Sequence, residues 1–286
     1  MKKIVTTLLT LLPLFAVEPV VSPQWLKANL DRVVILDVSE PKVYAKGHIP
    51  GAINAPISLW RQSRGSFSLL IDDTQLQTLI QNLGIDKESH VVLYAHHSGK
   101  DLLKTSYTAW ALEYAGVTKS SLLEGGYKAW EKAGFEVSQA IPKKDKSRFT
   151  ITPNDSLVAD KKYVRKSIGK VRMLDARPAI YYFGAKKQSV LARAGHIPKA
   201  SSYFWRYSFE NDKFKSKNTL KEMLIDGLEI EPKKEVIVYC TGGLETSMNW
   251  FVLHRILRLA HVRLYDASMK EWANDPDTPL VKYRWE

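Results

Sequence analysis

A chain of 286 residues, 45% apolar and 25% charged, has the make-up of one large or two ordinary globular domains. That composition excludes disulfide-stapled miniproteins, disordered chains and multi-pass membrane proteins. Lys and Arg outnumber Asp and Glu by 42 to 30, and the resulting charge of +12 favours anionic ligands or partners. The only cysteine is Cys240, a count that excludes an internal disulfide, a zinc-finger array and an iron–sulfur cluster.

Lys2 and Lys3 open the chain, followed by an uncharged, mostly apolar run over 4–17. That run is shorter than the roughly 20 residues a spanning helix needs. A basic start, a short apolar stretch and the small Ala16 predict a signal peptide over 1–16 and an exported, periplasmic protein. The alternative is an uncleaved membrane anchor. After cleavage the expectation is a monomer with no stable membrane association. Losing 1–16 removes two Lys and no acid, so the basic excess does not come from that segment.

The rest of the chain repeats itself. Gly47-His48-Ile49-Pro50 recurs as Gly195-His196-Ile197-Pro198. An apolar segment ending in Asp precedes each, at 33–37 and 171–175, and an apolar segment ending in Tyr follows each, at 91–94 and 236–239. Further on, Lys128-Ala129-Trp130 matches Lys270-Glu271-Trp272. Landmarks in the same order at so long a spacing indicate two copies of one domain, not a solenoid. We place the first over 21–137 and the second over 155–286, with a Pro- and Lys-rich linker over 138–154. Helical spacing is present at 74–83 and 105–115, and again at 219–228 and 246–259. Short buried strands alternating with helices predict an α/β fold, each domain a mostly parallel sheet with helices on both faces.

Ligands of such sheets bind at the carboxyl ends of the strands, which is where Cys240 falls. The loop Thr241-Gly242-Gly243-Leu244-Glu245-Thr246 runs from a strand into a helix, with two glycines that let backbone N–H groups close around one atom. A helix start lowers a thiol pKa, so Cys240 is the candidate nucleophile. The first copy carries Ala95 at the matching position, so one half is catalytic and the other supports it. His96 and His97 lack a third ligand at fitting spacing and are read as a surface loop, with no metal. His48 and His196 recur in both halves and are read as structural.

Two copies with the Asp strand and the Gly-His-Ile-Pro turn, plus one Cys loop, resemble the tandem rhodanese-like sulfurtransferases over essentially the whole chain beyond the leader. The resemblance implies that the Cys240 thiolate takes a sulfane sulfur from thiosulfate or 3-mercaptopyruvate. It then passes that sulfur, held as a persulfide, to cyanide or a thiol, with no cofactor. It also implies donor contacts for Arg177 and Arg193. The loop departs from the thiosulfate-preferring pattern, in which two basic residues follow the Cys, since Thr241 and Gly242 stand there. It is closer to the small neutral loop of mercaptopyruvate enzymes, yet Glu245 replaces a small hydroxyl residue in either. A carboxylate there would raise the thiol pKa and repel an anionic donor. The lysines of the insertion 184–194, Lys186 and Lys187, are read as an exposed loop; the alternative is a basic lip over the cleft, formed with Arg193. We expect thiosulfate or a related anionic donor. The alternatives are mercaptopyruvate and a persulfide carrier without turnover. A Cys phosphatase needs a cation six residues after its Cys, where Thr246 stands. Nucleic acid is not an expected partner, for no recognised binding motif is present.

Overall fold

The structure, a computed structural model, describes residues 17–286; the signal peptide expected over 1–16 lies outside the described residues. The first half contains strands β1 (Val20–Val21), β2 (Val34–Asp37), β3 (Ile53–Asn54), β4 (Arg61–Arg64), β5 (Phe67–Leu70), β6 (Val91–Tyr94) and β7 (Ser120–Leu123). The second contains β8 (Arg172–Asp175), β9 (Ala200–Ser202), β10 (Phe209–Glu210), β11 (Lys213–Phe214), β12 (Val236–Tyr239) and β13 (Val262–Leu264). Two parallel sheets form, with orders β1-β7-β6-β2-β3 and β13-β12-β8-β9. The registers repeat as well: Asp37 faces Tyr94 and Asp175 faces Tyr239. Each half adds a short antiparallel hairpin, β4–β5 or β10–β11.

The strand residues at 34–37, 91–94 and 236–239 are buried throughout, as parallel sheets covered on both faces require. Side chains alternate between two environments. Val34, Leu36, Val236 and Val238 enter one core shared by both halves, together with Trp110, Trp250 and Phe251. Ile35 and Tyr94 face an outer core closed by Trp130, and Ile237 and Tyr239 face its counterpart closed by Trp272.

Helices form near the expected places. Asp73–Asn82 is capped by the Asp72 carboxylate, which accepts the Gln75 N–H at 2.9 Å. Leu102–Ala115 starts three residues earlier than its spacing suggests and is buried nearly all round, because it lies between the halves against Leu244–Trp250. Leu244–Trp250 continues into wider π turns over Phe251–Ile256, and Lys217–Lys221 does the same over Glu222–Asp226. Spacing at the α period does not reveal such a change of pitch.

The repeated turns have a common support. Tyr94 Oη accepts the Ile49 N–H at 3.1 Å and Tyr239 Oη the Ile197 N–H at 3.2 Å. His48 stacks on Tyr44 and His196 on Tyr182, both at 3.8 Å. The linker lies along the first half: Thr152 N–H donates to Ala115 O at 2.9 Å and Ser147 Oγ to Ile85 O at 2.7 Å, with Phe149 buried. No helix among the described residues is long and apolar enough to cross a membrane.

Candidate active site

Cys240 follows β12 directly and is buried. The chain then curls back, so that the N–H groups of Gly242 and Gly243 donate to Cys240 Sγ at 3.3 and 3.2 Å. A side chain at 243 is impossible: the backbone there has φ +92°, and a Cβ would lie 2.0 Å from Asp266 Oδ1. Ser268 secures the other flank. Its Oγ accepts the Cys240 N–H at 3.1 Å, donates to Tyr265 O at 2.6 Å and sits 3.3 Å from Thr246 Oγ1 and 4.0 Å from Sγ. Ser268 holds φ +53°, a left-handed conformation uncommon outside glycine.

The helix start was expected to lower the thiol pKa. Burial instead pushes the Cys240 thiol up, and the Glu245 carboxylate pushes the same way; hydrogen bonds from Thr246 and the Gly242 N–H act against both.

Above the sulfur opens a cleft of 330 Å³ between the halves. The second half lines it with Thr241, Gly242, Leu244, Glu245, Lys270 and Gln188, and the first half with Arg61, Lys100 and Leu103. A larger cavity of 550 Å³ lies at the opposite end of the second sheet, beside Val171 and Val236. It is remote from the thiol and at the wrong end of the strands for a ligand of this fold. Among the described residues no three His, Cys, Asp or Glu side chains come together as a metal site would require.

Arg61, at the start of the first-half hairpin, reaches across the domain boundary. Its Nη2 donates to Gly242 O at 2.8 Å, to Ser68 O at 2.5 Å and to Asp266 Oδ1 at 3.2 Å. Asp266 also accepts the Tyr107 hydroxyl at 2.7 Å and the Leu70 N–H at 2.8 Å, both from the first half. Burial raises the Asp266 pKa, and Arg61 and these donors oppose that rise. Ser106 Oγ and Ser247 Oγ meet at 2.8 Å beside this contact. The supporting half thus grips the Cys loop through its carbonyl and through the acid that packs on Gly243.

Thr241 Oγ1 donates to Gln188 Oε1 at 2.8 Å, and Thr246 is fully buried. Glu245 opens into the cleft and forms no ion pair among the described residues.

Two expectations are corrected. Arg177 is buried against Asp175, with Nε 2.9 and 3.1 Å from its two oxygens and Nη2 at 2.5 Å, and it also donates to Gly195 O at 2.8 Å. It stands two residues from that carboxylate, which chelates it, and it does not line the cleft. Arg193 is likewise committed elsewhere, donating to Ala273 O, Trp272 O, Thr278 O and Thr278 Oγ1 at 2.7–3.2 Å and to Asp275 O. It ties down the C-terminal loop. Lys187 donates to Leu191 O, so the insertion presents the neutral Gln188 to the cleft in place of a basic lip.

His96 is a further correction. It is buried, with Nε2 2.8 Å from Asp37 Oδ2 and its ring stacked on Tyr127; only His97 is exposed. Sequence reasoning also missed Arg61, Lys100, Lys270 and Ser268. Lys270 had a signal, since it belongs to the repeated Lys-x-Trp landmark; Ser268 stands two residues before it, where the first copy has Gly126. Trp60-Arg61 also recurs as Trp205-Arg206, a repeat that marks Arg61.

A family model described as Rhodanese-like domain matches residues 22–133 and 160–275. A protein of Synechococcus elongatus named "Putative thiosulfate sulfurtransferase" is 32% identical over 266 residues, covering 88% of this chain and 82% of its own. The "Sulfur carrier protein TtuD" of Thermus thermophilus is 31% identical over 283 residues, covering 93% and 97%. Among solved structures, YnjE superposes with a TM-score of 0.81 at 23% identity over 93% of this chain and 68% of its own, a likeness of fold. Two matched domains, one of which places a thiol under paired N–H donors, make this chain a member of the rhodanese family of sulfurtransferases.

Proposed function

We propose that Cys240 takes a sulfane sulfur from thiosulfate and hands it to a thiophilic acceptor, cyanide or a thiol. In the first step the Cys240 thiolate attacks the outer sulfur of the donor. An S–S bond forms to Sγ, the donor's own S–S bond breaks, and sulfite leaves with the electron pair. The persulfide anion stays under the loop. In the second step the acceptor attacks the outer sulfur and Sγ leaves as a thiolate. The observation that carries this reading is the pair of N–H groups from Gly242 and Gly243 aimed at Sγ, a cradle suited to a sulfur anion. Lys100 and Lys270 line the same cleft and supply the attraction for a dianion that the loop lacks.

Incubation with thiosulfate should add one sulfur atom, about 32 Da, to Cys240. Cyanide should then release thiocyanate, and Cys240→Ser should do neither. Full activity in that variant would sink the proposal. A second reading has support from the Thermus relative's name: a carrier that holds the persulfide for a protein partner. Loading with no turnover to any small acceptor would favour it. Faster loading from 3-mercaptopyruvate than from thiosulfate would assign the donor to that keto acid. The basic and apolar start of the chain supports export to the periplasm, which N-terminal sequencing of the mature protein tests.

A further inference from the structure

Transfer to a thiol poses a proton problem that transfer to a pre-formed anion does not. Near neutral pH a thiol acceptor arrives protonated. The balanced step is R–SH plus Cys240–S–S⁻ giving R–S–S⁻ plus Cys240–SH. The acceptor's bond to the outer sulfur forms and the Sγ–S bond breaks with its electrons returning to Sγ. One proton moves from the acceptor sulfur to the cysteine.

The cleft offers little to carry that proton. Among the described residues no histidine lines it, and Arg61, Lys100 and Lys270 are side chains that donate hydrogen bonds and have no acceptor atom. Glu245 is the exception. It stands in the first turn of Leu244–Trp250, five residues after the thiol, on the same wall of the cleft, and no ion pair among the described residues holds it.

We propose that Glu245 is the proton carrier of this site, taking the proton from a thiol acceptor and returning it to Cys240. This makes thiols, rather than acceptors that are already anions, the class the site favours. The proposal rests on the persulfide reading above and adds the acceptor to it.

The surroundings fit that task. Asp175 and Arg177, paired at the end of β8 outside the cleft, act on Glu245 through their charges; Lys100 from the loop after β6, Arg61 and Lys270 line the cleft with it. Burial and then Asp175 push the Glu245 carboxyl up to about 7, against Lys100 and Arg177. A group poised there both accepts and donates near neutrality.

The test uses full-length protein loaded with thiosulfate and freed of donor, its persulfide confirmed by mass. Single-turnover rates are followed with 2-mercaptoethanol and with sulfite as acceptors, across the pH range from about 5 to 9. Sulfite brings no proton to remove at the upper end. At neutral pH, Glu245→Gln should slow the thiol reaction by roughly a hundredfold and should not slow the sulfite reaction, which gains from losing a carboxylate that repels the anion. It should also abolish the inflection near pH 7 in the thiol profile. Glu245→Asp, which keeps the carboxyl, should keep the inflection; Glu245→Thr provides a second uncharged variant and should show the same split. Equal slowing with both acceptors, or an unchanged thiol profile in variants that still load sulfur, overturns the proposal alone. Wild-type protein that takes up no sulfur overturns the persulfide reading and the proposal with it.

Discussion

The halves grip each other through reciprocal hairpins, and the two grips differ. Hairpin β4–β5 of the first half presents Arg61 and Leu70 to Asp266, the acid after β13, in a buried contact. Hairpin β10–β11 of the second half presents Lys213 to Glu124, the matching acid after β7, at 3.3 Å in an exposed one. Arg206, the counterpart of Arg61, approaches Gly99 in the first half's loop but pairs with Asp212 at the surface. The strand-end acids differ in the same sense. Asp175 holds Arg177, whereas Asp37 holds His96, which fills the place beside Ala95. Duplication kept the frame of both sites. The contact onto the loop is buried in the half that carries the thiol and exposed in the half that does not.

Variants can break or sharpen this contrast. The largest effect belongs to the thiol. Cys240→Ser should reduce thiocyanate formation to background, and adding Ala95→Cys to it should not restore the activity, because His96 and Gly126 occupy the places of Thr241 and Ser268. Recovery of activity in the double variant would show the two frames to be equivalent.

Next come the clasps. Arg61→Ala leaves the Asp266 carboxylate buried without its cation and should cost about 3–5 kcal/mol in urea unfolding, together with much of the activity. Lys213→Ala breaks the exposed clasp and should cost less than about 1 kcal/mol. Equal losses would refute the asymmetry.

Smaller still is the exchange at the left-handed turn. Gly126→Ser would put a Cβ 2.4 Å from Ala95 O and should destabilise by about 1–3 kcal/mol. Ser268→Gly relieves the backbone but removes the acceptor for the Cys240 N–H. Stability should then change by less than about 1 kcal/mol while sulfur transfer slows.

A separate effect is the pH dependence of Glu245→Gln stability. The carboxyl's folded pKa lies above its unfolded value, so the native state holds the proton more tightly. That contribution is complete below the unfolded pKa and is lost as pH rises through about 7. The variant, always neutral, should melt above wild type at alkaline pH, and the gap should shrink on acidification. A gap of the opposite sign would mean that Glu245 is stabilised as the anion.

Much of this was legible in the sequence because duplication prints each signal twice. The Asp strands, the Gly-His-Ile-Pro turns and the Tyr-ended strands identified two α/β halves, and the missing thiol at Ala95 told them apart. Arg177 and Arg193 misled for a physical reason: a guanidinium takes whichever acid or carbonyl lies nearest in space. For Arg177 that acid was two residues away, and for Arg193 the carbonyls belonged to a loop some 80 residues on. Arg61 was hidden in the opposite way, since its target Gly242 lies 181 residues distant. Only the repeated Trp-Arg pair hinted at it. The burial of His96 could not be read either, because two adjacent histidines look like a polar loop until Asp37 is placed beside them.

The linker's course has a consequence for how the chain can be assembled. It is fastened to the first half at Ser147, Phe149 and Thr152, while Ile141 ahead of that seam is 81% exposed. The shared core and the clasps, rather than the covalent tether at that point, keep the halves in register. A protease nick beside Ile141 should therefore leave a working molecule that separates only under denaturant. The two pieces, made as independent polypeptides, should find each other and reconstitute sulfur transfer as a split enzyme.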